Sequence, residues 1–167
     1  GIDNPKGANR FYYRIAWNLQ HDGKPSFLSE TKWVPGSPDI GSETAGGGAA
    51  IAQIDNDKDN RPDLVLMAIT DNPEMNEFRY VIGWNLDVNG NPASWSALKF
   101  APKDLDIGWY NAGGGATIAD IDGNGTPDLV LMAITTAPNN PNMNQFRYVV
   151  GWNLDEKGDP VSWSPLK

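Results

Sequence analysis

One long segment of this chain occurs twice and another three times. FRYVIGWNLDVNGNPASWSALK, from Phe78 to Lys99, returns as FRYVVGWNLDEKGDPVSWSPLK, from Phe146 to Lys167, and a weaker copy, FYYRIAWNLQHDGKPSFLSETK, opens at Phe11. AGGGAAIAQIDNDKDNRPDLVLMAIT, from Ala45 to Thr70, returns as AGGGATIADIDGNGTPDLVLMAIT, from Ala112 to Thr135. The step is 67 residues from Trp17 to Trp84 and 68 from Trp84 to Trp152. A period of this length means structural units that bury their apolar faces against one another rather than folding alone. The chain divides into a half repeat, 1–34, holding the third and fourth strands of a unit, and two full repeats, 35–100 and 101–167.

Within a full repeat the pattern predicts four strands. The first is a short apolar run set in Gly and Ala, as at Ala49 to Ile54. The second, DLVLMAI, is continuously apolar and bounded by turns, which is how a strand buried on both faces reads. The third alternates: Phe78, Tyr80, Ile82, Trp84 and Leu86 fall on one face, and Arg79, Val81, Gly83 and Asn85 on the other. The fourth is short and centred on SWSALKF. DVNGNP, HDGKP and EKGDP supply the turn residues that join the third strand to the fourth. Each unit is therefore expected to be a four-stranded antiparallel meander. Meanders repeated at this spacing favour sheets stacked radially as β-propeller blades, with the small-residue strands at a crowded axis. A ten-strand sandwich is the alternative.

Composition narrows the function. The net charge of −8 excludes the basic surface that nucleic acid or an anionic membrane demands. No segment approaches the length of a membrane helix. There is no cysteine and one histidine, His21, so thiolate and His-based chemistry are not expected. No catalytic constellation stands apart from the acidic loops, and an enzyme is the least favoured class, with a hydrolase the form it would take. No signal peptide is present and the first residue is Gly, so the chain is expected to be a mature or trimmed product.

The acidic residues are concentrated. Asp120, Asp122, Asn124 and Asp128 hold positions one, three, five and nine of a loop with Gly125 at six and Thr126 at seven. Asp55, Asp57, Asp59 and Asp63 repeat this, with Asn60 at six and Arg61 at seven. The first loop is two residues longer, so a register built on Gln53, Asp55 and Asp57 competes. Together the loops hold seven of the 21 acidic residues, and like charges so close repel unless a cation neutralises them. Alternating oxygen ligands around a sharp turn suit Ca²⁺. An EF-hand would need Glu at position twelve, where Leu66 and Leu131 stand.

DIDGNGTPDLV, preceded by AGGGATIA, resembles the integrin-type FG-GAP repeat and the related VCBS-like repeats of bacterial multi-repeat proteins. The resemblance extends over nearly the whole chain. It implies a Ca²⁺ loop between the first two strands of a propeller blade, hence two Ca²⁺ sites. Their ligands would be the side chains of Asp55, Asp57, Asp59, Asp63, Asp120, Asp122, Asn124 and Asp128 with the carbonyls of Arg61 and Thr126. Asn60 departs from the usual Gly, a change Asn tolerates because it visits left-handed conformations.

A ligand surface is sought where the repeats differ. DIGWYNAGGG carries Trp109 and Tyr110 where its sister DIGSETAGGG has Ser42 and Glu43; with Asp106 and Asn111 these would suit stacking on a sugar ring and hydrogen bonds to its hydroxyls. The expected function is a Ca²⁺-stabilised binding module, extracellular, periplasmic or on the cell surface, recognising a glycan or a protein in a lectin- or adhesion-like manner. A purely structural repeat segment with no small-molecule ligand is the alternative. Two and a half blades do not close a ring, so self-association into a homo-oligomer that completes a propeller is expected.

Overall fold

The computed structural model describes residues 2–3, 9–36, 40, 43–55, 60–71, 76–102, 107, 111–137 and 140–167. The described chain is all-β, with no helix and with several sheets, none of them closed. Among the described residues no helix is long and apolar enough to cross a membrane.

Both full repeats form the expected meander. In the second repeat β6 (Glu43–Ala52), β7 (Asp63–Asp71) and β8 (Glu77–Trp84) pair in sequence, and the fourth position is shared by two short pieces, β9 (Ser94–Trp95) and β10 (Lys99–Phe100). In the third repeat β11 (Asn111–Ala119), β12 (Asp128–Ala137), β13 (Asn140–Leu154) and β14 (Pro160–Trp163) follow the same order. The opening half repeat contains β1 (Ile2–Asp3), β2 (Arg10–Tyr13), β3 (Ala16–Leu19), β4 (Pro25–Leu28) and β5 (Lys32–Trp33). Ile2 lies opposite Phe11 as Ile69 lies opposite Phe78, so β1 is the end of a second strand beside the third and fourth that the sequence predicts.

A serine fixes the geometry of all three copies. The amides of Ile15, Ile82 and Val150 each donate to the hydroxyl of Ser29, Ser96 or Ser164 at 2.9 Å, and the same hydroxyl donates to the next residue's carbonyl. The shared bond places the weak first copy in register with the other two.

The meanders stack face to face. One apolar layer joins Phe11, Tyr13, Val34 and Ile40 to Leu64, Leu66, Ala68, Val81 and Leu86. A second joins Val65, Met67, Ile69, Phe78, Tyr80 and Ile82 to Leu129, Leu131, Ala133, Val149 and Leu154. β7 is thus buried on both faces, as its unbroken apolar run requires. The small-residue strands meet at their backbones: a Cβ on Gly46 would lie 2.7 Å from the Cα of Gly113, and one on Gly48 would lie 2.5 Å from that of Gly115. Glycine is needed there for close approach.

The predicted alternation of the third strand fails at its end. Leu86 does not share the face of Phe78, Tyr80 and Ile82 but packs in the opposite layer with Leu64 and Leu66. Asn85 is the cause: at φ 56° it is left-handed and turns the chain over, as Asn18 and Asn153 do at the equivalent positions.

Candidate metal centre

The second acidic loop, 120–128, is described in full. Gly123 and Gly125 have φ of 76° and 89°, and the tight turn aims successive amides inward. Asp120 accepts the amides of Gly123 and Asn124 on one oxygen and that of Gly125 on the other. Asp122 accepts the amide and the side-chain NH₂ of Asn124, and the Asn124 side-chain oxygen accepts from Thr126 N. Asp128, at the start of β12, is fully buried; its two oxygens accept from Ile121 N and Asn153 N, both at 2.8 Å.

These bonds bring three charges together. Carboxylate oxygens of Asp120, Asp122 and Asp128 all lie within 4.8 Å of one another. Two oxygens bound to one Ca²⁺ at about 2.4 Å cannot be more than about 4.8 Å apart, so the spacing fits a shared ion. An oxygen that accepts a single amide, as Asp120 Oδ2 and both oxygens of Asp128 do, keeps a second lone pair for a cation, whereas Asp120 Oδ1 is taken up by two amides. Of the sequence-predicted set, the Asn124 side-chain oxygen accepts from Thr126 N and keeps its second lone pair for a cation.

In the first loop Asp63 takes the part of Asp128: its oxygens accept from Ile54 N and Asn85 N. Burial pushes its carboxyl above the ordinary value, the two amide bonds pull it back, and the charge of Asp55 adds to the rise. Asn60, with φ of 55°, adopts the conformation that Gly125 has at position six. Because Ile54 and Ile121 make the same bond, the strand side of the loop aligns Gln53 with Asp120 and Asp55 with Asp122. The two additional residues therefore fall between Asp55 and Asn60. Gln53 donates to Asp55 at 3.1 Å, an amide where the other loop has a carboxylate. Asp57 and Asp59 lie outside the described residues, and Arg61 is exposed at the loop's end.

Sequence reasoning missed one residue in each loop. Asn153 accepts from the side chain of Asn124, and Asn85 lies 3.5 Å from Asp55, so the Asn of the repeated WNL triplet closes over the acidic loop. The side-chain oxygen of Asn85 is buried and has no hydrogen-bond partner among the described residues. An Asn recurring in an otherwise alternating strand was the available signal.

The proposed ligand surface is less complete. Asp106, Trp109 and Tyr110 lie outside the described residues, and Asn111 opens β11 opposite Thr135. Elsewhere, a groove of about 570 Å³ between the first and second repeats is lined by Trp17, Asn18, Phe27, Glu30, Lys32 and Asn89. Trp17 is half-buried there.

The chain matches no family model, no curated protein and no solved structure. The functional reading therefore rests on the residues themselves.

Proposed function

We propose that this chain is a Ca²⁺-tied repeat module of the FG-GAP and VCBS-like propeller class, working by binding outside the cytoplasm rather than by catalysis. The observation that carries the reading is the convergence of Asp120, Asp122 and Asp128 oxygens within 4.8 Å on a loop whose chemistry recurs around Asp55 and Asp63. A cation there offsets charge that the fold would otherwise hold uncompensated at the mouth of two buried strands. Its role is structural, because the same carboxylates tie the loop to the third strand. Recognition of a glycan or protein is supported by the aromatic and amide lining of the groove at Trp17 and Phe27, beside the sequence case for Trp109 and Tyr110.

Isothermal titration with Ca²⁺ tests the metal reading. Binding of two ions to the native chain, reduced to one by Asp122→Asn, is expected; no heat and no thermal shift would remove the reading. A glycan array on the native protein and on Trp17→Ala and Trp109→Ala tests the lectin form. Uniform silence of the native protein on the array sinks that form and leaves a protein ligand. The alternative, a structural segment whose partners are other repeats, is favoured by the exposure of Phe146 and Tyr148.

A further inference from the structure

The stack of repeats has two ends, and each end exposes what the interior covers. At both internal junctions the leading face of one repeat seats on the hairpin of the next. The Tyr13 hydroxyl donates to the Gly90 carbonyl at 3.1 Å, and the Tyr80 hydroxyl to the Gly158 carbonyl at 3.3 Å. Ile15 and Ile82 fill the space where a side chain on Gly90 or Gly158 would stand. Trp95 and Trp163 meet the two tyrosines edge-on, at 5.9 and 6.4 Å. Lys32 then bonds Asn91, and Lys99 forms an ion pair with Asp159.

The third repeat presents the same leading face open at Phe146 and Tyr148, with Val150, the counterpart of Ile82, at its floor and 5% exposed. Phe146 and Tyr148 are 69% and 39% exposed, where Phe78 and Tyr80 are each 1% exposed. The first repeat presents the matching trailing face. Leu19 and Leu28, which stand where Leu86 and Trp95 stand in the second repeat, are 65% and 43% exposed, and the space before Gly23 is empty.

We propose that a second copy of this chain docks head to tail, its hairpin around Gly23 seating on Phe146, Tyr148 and Val150 of the first copy and continuing the internal junction. In that contact the Tyr148 hydroxyl donates to the Gly23 carbonyl of the other copy, and Val150 takes the place of Ile82. The junction is heterologous: the two copies contribute different surfaces to it. It departs from the internal junctions in three respects: Leu28 offers Tyr148 no ring where Trp95 and Trp163 meet Tyr13 and Tyr80, Val150 lacks the Cδ1 with which Ile15 and Ile82 reach the hairpin glycine, and Lys167, the counterpart of Lys99, meets Lys24, the counterpart of Asp159. The inference rests on the stacking of the repeats and not on the cation.

Analytical ultracentrifugation tests it, with Phe146→Asp and Leu19→Asp as variants on opposite ends. Both positions are exposed, and near-ultraviolet circular dichroism checks that the variants are folded. The native chain is expected to associate at micromolar concentration, and each variant alone to lose about tenfold or more in affinity. A 1:1 mixture of the two is expected to form a heterodimer, because one supplies an intact tail and the other an intact head. Lys24→Asp is expected to tighten association by about fivefold, the worth of one exposed ion pair. A native chain that stays monomeric at about 100 μM overturns the proposal. So does a mixture that stays monomeric, or a Leu19→Asp variant that associates like the native chain; the latter would mean that leading faces pair with each other. Repeating the runs with chelator separates the two readings: association that persists while Ca²⁺ binding is absent removes only the metal centre.

Discussion

The second and third repeats carry nearly the same residues and lead different lives. Met67, Phe78 and Tyr80 are buried under the third repeat, whereas Met132, Phe146 and Tyr148 stand exposed. On the other face the two agree: Leu64, Leu66 and Ala68 are covered as completely as Leu129, Leu131 and Ala133. Burial in a stack is a property of the neighbour as much as of the strand. The same side chain is a core residue or an interface residue according to whether another repeat follows.

The sharpest way to break this comparison is to truncate the paired phenylalanines. Phe78→Ala is expected to cost about 3–5 kcal/mol in urea unfolding, the range for a fully buried aromatic. Phe146→Ala, measured on dilute protein, is expected to cost about 0.5 kcal/mol or less. Equal losses would mean that the leading face of the third repeat is covered in solution. A second contrast lies in the glycine strands. Gly48→Ala sets a methyl against the backbone of Gly115 and is expected to cost about 1–3 kcal/mol, whereas Gly115→Ala meets only the end of the exposed Met132 side chain and is expected to cost far less.

The acidic loops invite the opposite test, because here the repeats are expected to behave alike. Asp63→Asn and Asp128→Asn each replace one acceptor oxygen of a buried side chain, bonded to a part-buried backbone amide, by a donor, at an expected cost of about 1–3 kcal/mol in thermal or urea unfolding. A marked difference between them would show that the two loops are held by different forces. If each loop binds Ca²⁺ with a Kd of about 0.1 mM, as extracellular sites do, 1 mM Ca²⁺ adds ~1.4 kcal/mol per loop, visible as a rise in Tm that chelator reverses. Gln53 in place of Asp120 predicts the weaker affinity for the first loop.

The smallest effect is set by pH. Asp87 and Asp155 sit in the two equivalent hairpins and are both held below the ordinary carboxylate value of 3.8, first by the backbone amide of Asn91 or Asp159. A lowered folded pKa contributes stability above the unfolded value, and that contribution is lost as pH falls through the folded pKa. Asp87→Asn and Asp155→Asn are therefore expected to lower Tm slightly at pH 7 and to leave it unchanged near pH 2. An effect that persists at low pH would point to the loss of turn geometry rather than of charge.

Much of this was legible from residues alone. The unbroken DLVLMAI run announced a strand covered on both sides, and the glycine triplets announced a backbone pressed against another. Hairpin chemistry placed the left-handed residues Gly90 and Gly158. Other features were hidden for identifiable reasons. The reversal at Asn85 was missed because a period-two pattern assumes continuous extended backbone, and one left-handed residue exchanges the faces beyond it. In the first loop the residues left two registers open, one setting Asp55 and the other Gln53 against Asp120, and the amide bond from Ile54 to Asp63 decides for Gln53, with Asp55 beside Asp122.

Sequence by itself determined the repeat, its four strands, the positions that must stay small and the clustering of carboxylates. These are local, written in spacing and in the conformational limits of Gly, Asn and Asp. Tertiary structure alone decided which apolar face is core and which is left open, which oxygens converge within reach of one ion, and that Tyr13 and Tyr80 find their acceptors in the next repeat. Those depend on how residues 77 and 78 positions apart are brought together, a long-range choice made by packing one sheet on another that no local pattern encodes.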